Sequence, residues 1–215
     1  MIEYQFTTKH WAVFIVLIIA FIFASIQPLE YTSYMLHQMG TAIMLTALII
    51  CFKKVGLNFI SFTLYIGFLF IHILGAHYLY SFVPYSDWSS QYLNFHLDHE
   101  MGWSRNMYDR WVHFAYGLLL YPFFLRLFQI GLPELSNKVI FLLVIQLIMV
   151  TSLIYEWIEW LLAISLSPDE AEKYNGQQGD IWDAHQDMLF ATIGALITGF
   201  IILMKQQKEK NTSSI

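Results

Sequence analysis

The sequence predicts an all-α, polytopic membrane protein that forms one integral membrane domain over residues 1–215. Hydrophobic residues make up 57% of the chain and charged residues 13%, whereas soluble domains carry about 25% charged residues. The mean hydropathy is +0.52. This composition argues against a soluble globular domain, a disordered chain and a coiled coil. A net charge of −5 without a basic cluster argues against a nucleic-acid partner.

Six apolar stretches are long enough to cross a bilayer as helices. About 30 Å of hydrocarbon needs roughly 20 apolar residues. The first stretch lacks the pair of small residues that marks signal-peptide cleavage, so we predict that it remains as a helix. The long connection at residues 83–110 is predicted to fold as a cap over the polar side of the bundle. The predicted spans cover residues 11–29, 33–52, 58–82, 111–130, 139–164 and 183–204.

The distribution of positive charge predicts that both termini are cytoplasmic. With that orientation, eight of the 11 Lys and Arg residues lie on the cytoplasmic side, in agreement with the positive-inside bias. The three that lie outside are Arg105, Arg110 and Lys173. Six of the seven tryptophans then fall near the outer ends of the spans, where their amphipathic rings favour the membrane interface.

Ionisable residues in the predicted spans and at their ends gather on one side of the membrane, and the inner half has almost none. A charged side chain inside a bilayer is costly, so such residues are expected to pair or to have a function. Asp109 and His113 are four residues apart, and Glu156 and Glu159 are three apart, so each pair shares a helix face. Four spans therefore bring polar side chains to one depth. The set comprises His72, His77, Asp109, Arg110, His113, Glu156, Glu159, Asp180, Asp183 and Asp187.

This set predicts a pocket that either binds a cation or holds protonated carboxyl groups. Five of the carboxyl groups cannot all stay ionised in a low dielectric beside Arg110, the one fixed cation expected nearby, and these are Asp109, Glu156, Glu159, Asp183 and Asp187. Arg110 would act as an anion clamp or balance the charge. Carboxylate and imidazole ligands without a thiolate suit zinc, manganese, iron or magnesium. The predicted metal ligands are His72, His77, His113, Asp183 and Asp187. The predicted catalytic residues are Glu156, Glu159, Asp109 and Arg110, and the predicted substrate contacts are Arg110, Tyr155 and Trp182.

The chain contains an ordered series of motifs: His72-Ile-Leu-Gly75-Ala-His77-Tyr78, Val83-Pro84-Tyr85, Arg105-Asn106, Asp109-Arg110-Trp-Val-His113-Phe114 with Gly117, Tyr155-Glu156-Trp-Ile-Glu159-Trp160, and Gln178-Gly179-Asp180-Ile-Trp182-Asp183 with Asp187-Met188. Together they resemble the YjdF-like family of bacterial inner-membrane proteins, which has no established biochemical function. The similarity extends from about Ile71 to Gly194, more than half of the chain. It implies a multi-pass protein of the bacterial plasma membrane and no activity.

A looser similarity connects the same region to the VanZ-like family. That family combines Asp-Lys/Arg-x-x-His-Phe at the start of one helix, a Glu on the next and an Asp-x-x-Asp that opens the last. Its association with glycopeptide resistance implies a site against the outer leaflet or cell wall. The chain departs at Glu159, where a Gln is common, and at residues 187–190, where Asn-x-x-Gly is common. The matching positions are Asp109, Arg110, His113, Phe114, Glu156, Asp180 and Asp183.

Three kinds of function are open on the sequence alone. A metal-dependent enzyme would act on an envelope lipid or a lipid-linked substrate, with Glu156 or Glu159 as the base that activates water. A binding or transport protein would use the polar layer as a proton- or cation-coupled site, although no inverted repeat is evident. A structural or accessory protein would use the layer to fix the helix register. The lipid bilayer is the one partner that follows directly, and the oligomeric state is open.

Overall fold

The computed structural model describes residues 1–175 and 178–213, which are largely helical. Those residues contain no β-strand, and their one extended pairing is an isolated bridge between Glu3 and Leu57. The predicted all-α class is therefore confirmed. The helices are α1 (Thr8–Ala24), α2 (Tyr31–Val55), α3 (Phe59–His77), α4 (Tyr85–Leu93), α5 (Leu97–Met101), α6 (Tyr108–Gly131), α7 (Asn137–Ser165), α8 (Pro168–Asn175) and α9 (Asp183–Ser213).

Among the described residues, five helices are long and apolar enough to cross a membrane, namely α2, α3, α6, α7 and α9. They match five of the six predicted spans. The remaining predicted span corresponds to α1, an apolar helix of 17 residues. At 1.5 Å per residue, α1 is about 25 Å long, somewhat shorter than the hydrocarbon layer. The structure thus confirms a helical bundle that contains several candidate membrane spans.

Helix α3 ends at His77, before the predicted end of the third span at residue 82. The chain turns there because Leu79 and Tyr80 adopt positive φ angles of 53° and 54°. The Tyr80 N–H donates to the Gly75 carbonyl oxygen at 2.7 Å. The Tyr80 ring occupies the space that a Cβ on residue 75 would need. Gly75 therefore lets Tyr80 fold back along α3 toward the interior of the bundle.

Helix α6 is the centre of the bundle and packs against α3, α7 and α9. A Cβ on Gly117 of α6 would overlap the carbonyl oxygen of Ala191, and a Cβ on Gly194 of α9 would overlap that of Phe114. The two helices therefore approach until their backbones touch, which small residues permit in membrane bundles. Helices α1 and α2 pack on α3.

The two ends of the bundle differ in composition. One end, here called the terminal end, carries the N-terminal segment, the α2–α3 connection and the last turns of α9. Arg126 of α6 donates there to the carbonyl oxygens of Val55 and Gly56 at 3.1 and 3.2 Å. The opposite end, here called the polar end, consists of the first turns of α6 and α9 with α4, α5 and α8. The candidate site lies at the polar end.

Candidate functional site

The first turns of α6 bring three ionisable side chains into the bundle. Asp109, Arg110 and His113 are all buried, with at most 7% exposure. Asp109 and His113 share one face, and His113 Nε2 lies 3.8 Å from Asp109 Oδ1. Arg110 projects toward α9 and contacts its carboxylates. The start of α6 therefore supplies a carboxyl group, an imidazole and a cation to one small volume.

Three aspartates at the start of α9 surround the Arg110 guanidinium. Its Nη2 lies 2.6 Å from Asp180 Oδ2 and 3.3 Å from Asp183 Oδ1. Its Nη1 lies 3.2 Å from Asp187 Oδ1. Asp183 and Asp187 are four residues apart and share one face of α9, and Asp180 lies three residues before the helix begins. Of the roles predicted for Arg110, this geometry favours charge balance, because its donors are already directed at protein carboxylates.

Arg105 is a second cation in the site and was not predicted from the sequence. Its Nη2 lies 2.6 Å from Asp183 Oδ1, and its Nη1 lies 3.6 Å from Asp180 Oδ2. The expectation that Arg110 is the only fixed cation nearby is therefore wrong. Arg105 lies in the long connection before α6, where helical spacing gives no information about its neighbours. Its place in the Arg105-Asn106 motif was the available signal.

Asp180 precedes α9 and lies outside the spanning helices. The backbone N–H of Trp182 donates to its Oδ1 at 2.9 Å. Arg110 and Arg105 both face its Oδ2. The hydrogen bond first, and then the two positive charges, lower the pKa of Asp180 below its ordinary value. Asp180 is therefore a carboxylate at neutral pH and balances part of the arginine charge.

Asp109, His113 and Asp187 form a buried cluster with the composition of a metal site. One ligand atom from each residue lies within 4.8 Å of the others. Two ligands of one zinc ion are separated by at most about 4.4 Å, because each bond is about 2.0–2.2 Å long. Small side-chain movements would therefore bring all three to bonding distance. The structure thus joins two predicted ligands, His113 and Asp187, with Asp109, which was predicted as a catalytic residue, whereas Asp183 is paired with the arginines.

Glu156 and Glu159 of α7 complete the acidic side of the cluster. Glu156 Oε1 lies 3.5 Å from His113 Nε2, and it is buried without a hydrogen-bond partner. The Glu156 carboxyl group is hydrogen-bonded to Glu159, a contact that two carboxyl groups make when one of them carries a proton. A buried polar atom without a partner is costly. The free oxygen of Glu156 therefore marks a place where a cation or a donor group would be stabilised.

His72 and His77 are engaged elsewhere. His72 Nε2 lies 3.1 Å from the His37 carbonyl oxygen, and its Nδ1 is hydrogen-bonded to the Tyr80 hydroxyl. Both nitrogens of this ring are therefore occupied. His77 Nδ1 donates to the Ala24 carbonyl oxygen at 2.8 Å. The structure thus leaves His77 at the end of α1 and does not bring it to the cluster of Asp109, His113 and Asp187.

The two aromatic residues predicted to contact substrate lie in different surroundings. Tyr155 has its ring centroid 5.7 Å from that of His113. The Tyr155 hydroxyl is hydrogen-bonded to Tyr174 of α8. Trp182 is 58% exposed and packs edge to face on His185. The structure therefore brings Tyr155 to the site and leaves Trp182 outside the cluster.

Two connections contribute contacts at the polar end. Tyr174 of α8 is buried, and its ring stacks on that of His37 with 4.4 Å between centroids. Burial, more than the nearby negative charge, raises the pKa of Tyr174 to about 12, so its hydroxyl stays protonated. In the connection at residues 83–110, the Asn106 N–H donates to Gln178 Oε1 at 3.0 Å, whereas α4 and α5 contain no buried residue. Tyr174 therefore covers this end from α8, and the cap over residues 83–110 stays a prediction.

A cavity of about 380 Å³ extends from the cluster into the bundle. Its walls come from α2, α3, α6 and α7. Asp109, His113 and Ser152 line one end of it, and most of its other walls are aliphatic or aromatic. This volume lies in the range of small-molecule sites, which are mostly apolar with a few polar groups. The candidate metal cluster therefore borders a cavity suited to an apolar or amphipathic molecule.

The fold and the site together define an integral membrane protein with a buried Asp, Glu and His cluster at one end of a helical bundle. The chain belongs to the family described as "Predicted membrane protein (DUF2238)", which matches residues 9–208. It is 28% identical over 177 residues to the inner membrane protein YjdF of Escherichia coli strain K12. That alignment covers 82% of this chain and 80% of the relative. No solved structure matches the chain.

These comparisons confirm the resemblance to the YjdF-like family. Together with the apolar helices, they also confirm the predicted class, a multi-pass protein of the bacterial inner membrane. The looser similarity to the VanZ-like family stays a prediction. The descriptions of the family and of the relative concern location in a membrane and assign no reaction.

Proposed function

We propose that the protein is a metal-dependent membrane enzyme that acts on an envelope lipid or a lipid-linked substrate. The buried cluster of Asp109, His113 and Asp187 carries this proposal. Two carboxylates and one imidazole suit zinc, manganese, iron or magnesium. Glu156 Oε1, which has no hydrogen bond and lies 3.5 Å from His113 Nε2, adjoins the cluster and adds a fourth group at the same place.

The charge of the site supports a bound cation. In the described part of the chain, six carboxyl groups gather there against the guanidinium groups of Arg105 and Arg110. These six carboxyl groups outnumber the two guanidinium groups, so the charge is balanced only when several of them are protonated or a cation is bound. A divalent cation would reduce this excess, and its attraction is strong where the dielectric constant is low. The carboxyl groups are those of Asp109, Glu156, Glu159, Asp180, Asp183 and Asp187.

The arrangement fits hydrolysis of an ester-type bond. A divalent metal supplies Lewis acidity and lowers the pKa of a bound water. Glu156 adjoins His113 and is placed to accept a proton from the attacking water and to return it to the leaving oxygen. The water oxygen bonds to the acyl carbon or phosphorus, and the bond to the leaving oxygen breaks. Water is consumed, and no oxidant or reductant takes part.

We further propose that α1 is a sixth span and that both termini are cytoplasmic. A helix of 17 residues lies at the lower limit of span lengths. Lys9, Arg126 and Lys205 line one groove at the terminal end, and the positive-inside bias directs that end to the cytoplasm. The site then faces the outer leaflet. On intact cells, an impermeant thiol reagent should label Ser90→Cys and spare Thr212→Cys, and the reverse pattern would overturn this orientation.

The metal content of the purified protein tests the proposed function. We expect near-stoichiometric zinc, manganese, iron or magnesium by plasma mass spectrometry. Asp109→Asn and Asp187→Asn should lose most of it, because each removes a charged ligand. Glu100→Gln removes an exposed carboxylate at the same end and should retain the metal. A folded wild-type protein without metal, or variants that retain it, would contradict the proposal.

The Arg110 network favours a structural protein as the second candidate. Its three aspartates connect α6 to α9 and would hold the helix register without any catalysis. Under this alternative, no metal copurifies with the wild-type protein, and Asp187→Asn lowers thermal stability without any change in metal content. Metal analysis and unfolding on the same samples therefore separate the two candidates.

A further inference from the structure

The cavity beside the cluster is long and narrow. One face of α6 lines it from Asp109 through His113, Tyr116 and Leu120 to Phe124, a distance of about 22 Å at 1.5 Å per residue. Spread over that length, 380 Å³ corresponds to a mean cross-section on the order of 20 Å². This shape suits one extended hydrocarbon chain better than a ring system or a folded polar molecule.

The hydroxyl groups deeper in the cavity are satisfied by the protein itself. Tyr65 donates to the Met44 carbonyl oxygen at 2.9 Å. Tyr116 is hydrogen-bonded to Thr151 at 2.7 Å, and Thr151 donates to the Leu147 carbonyl oxygen at 2.8 Å. These walls therefore present little polarity to an occupant. An apolar cavity of about 150 Å³ stays dry and accommodates benzene, so this larger one has room for on the order of a dozen carbon atoms.

The cavity opens sideways between α2 and α7. Within the described chain, α2 packs on α3, α7 packs on α6 and α9, and α2 and α7 share no extensive contact. Ile43 of α2 and Ile158 of α7 both line the cavity and are 68% and 45% exposed. Both helices are candidate spans, so these exposed apolar side chains face lipid. At the polar end, Tyr80 and Tyr174 are buried above the site. The open side therefore faces the bilayer.

We infer that this cavity binds one acyl chain of a bilayer lipid, which enters between α2 and α7. The end of the acyl chain that carries the polar group then lies at Asp109 and His113, where the reacting bond is expected. This inference rests on the proposed function for the reaction, and it names the substrate class: a lipid whose reacting group is attached directly to a long hydrocarbon chain.

Photolabelling tests the inference. The probe is a phosphatidylglycerol with a diazirine at the end of one acyl chain, incorporated with the purified protein into nanodiscs. Peptide mapping after irradiation should place label on the deep lining residues Leu120, Phe123 and Phe124. Ala47→Phe fills the cavity and should reduce this label at least fivefold. Ile50→Phe adds the same ring on the lipid-facing side of α2 and should leave the label unchanged.

A second variant keeps the test decisive if Ala47→Phe fails to fold. Ile43→Trp adds bulk at the exposed mouth, where folding is little affected, and should also reduce deep labelling. Label confined to lipid-facing residues such as Trp157, or unchanged in both cavity variants, would overturn the inference. Asp187→Asn distinguishes failure of the acyl-chain inference from failure of the proposed metal-dependent function. If the Asp187→Asn protein has lost its metal but is still labelled at Leu120, Phe123 and Phe124, the acyl-chain site is supported. If the wild-type protein holds metal but carries no label at these residues, only the acyl-chain site is refuted.

Discussion

The guanidinium of Arg110 lies 3.2 Å from the carboxylate of Asp187, and both side chains are only 2% exposed. Asp187 also belongs to the cluster with Asp109 and His113. One residue therefore serves both the ionic contact between α6 and α9 and the candidate metal site. Substitution of Asp187 is therefore expected to change both stability and metal content. A substitution that removes only one of its two contacts should change only one of these properties.

Replacement of Arg110 should be the most destabilising change in the network. Arg110→Gln leaves buried Asp183 and Asp187 without that charge partner, and breaking a buried ion pair from one side costs about 3–5 kcal/mol. Thermal unfolding in detergent, followed by tryptophan fluorescence, should show a large drop in Tm. Arg110→Gln with Asp187→Asn should recover part of the loss. An Arg110→Gln protein as stable as wild type would contradict the role of this side chain.

The close approach of α6 and α9 should not tolerate a methyl group. Gly117→Ala places a Cβ against the Ala191 carbonyl group, and overpacking of this kind costs about 1–3 kcal/mol. Gly131→Ala is the matched control, because a Cβ at this position of α6 meets no atom within 4 Å. Urea unfolding in mixed micelles would measure both. Equal stability of the two variants would show that the helices can separate without cost.

Tyr80→Phe should lower stability without removing a metal. The change deletes the hydroxyl that is hydrogen-bonded to His72 Nδ1, a loss of about 1 kcal/mol for a buried pair. His72 is not expected to be a ligand, so the metal-to-protein ratio should be unchanged. Tyr92→Phe, at an exposed position, controls for loss of a tyrosine hydroxyl. Loss of metal in Tyr80→Phe would instead indicate that His72 is a ligand.

The contribution of Asp180 should depend on pH. Its folded-state pKa lies below the ordinary value of 3.8, so its stabilising effect is complete above that pH and is lost as the pH falls through the lowered pKa. The difference in Tm between wild type and Asp180→Asn should therefore be constant from pH 7 to 5 and shrink below pH 3.8. Asp87→Asn, at an exposed position, controls for general acid effects. A difference that vanishes already near pH 6 would contradict this assignment.

Local features explain which parts of the site could be predicted. Helical spacing predicted that Asp109 lies with His113 and that Asp183 lies with Asp187, because residues three or four apart on a helix share a face. His72 and His77 were predicted as ligands from residue type and depth alone. The structure instead directs their ring nitrogens to backbone carbonyl groups and to Tyr80. Composition cannot reveal such local hydrogen bonds.

Residues from the connections were the hardest to predict. Arg105 reaches Asp183 across 78 positions of the chain, and Asn106 reaches Gln178 across 72. Tyr174 covers the site from α8 by stacking on a side chain of α2. These contacts follow no sequence period, so only packing could show them.

The sequence by itself determined the membrane class, the five candidate spans that the structure also contains and the gathering of ionisable residues at one end. Apolar length and helical periodicity are local properties, and the cost of charge in hydrocarbon restricts where such residues can lie. The tertiary structure alone decided which carboxylates pair with Arg105 and Arg110, which form a cluster with His113, and which helices line the cavity beside that cluster. Those outcomes depend on how separate helices pack, because pairing and enclosure arise between segments that are distant in sequence.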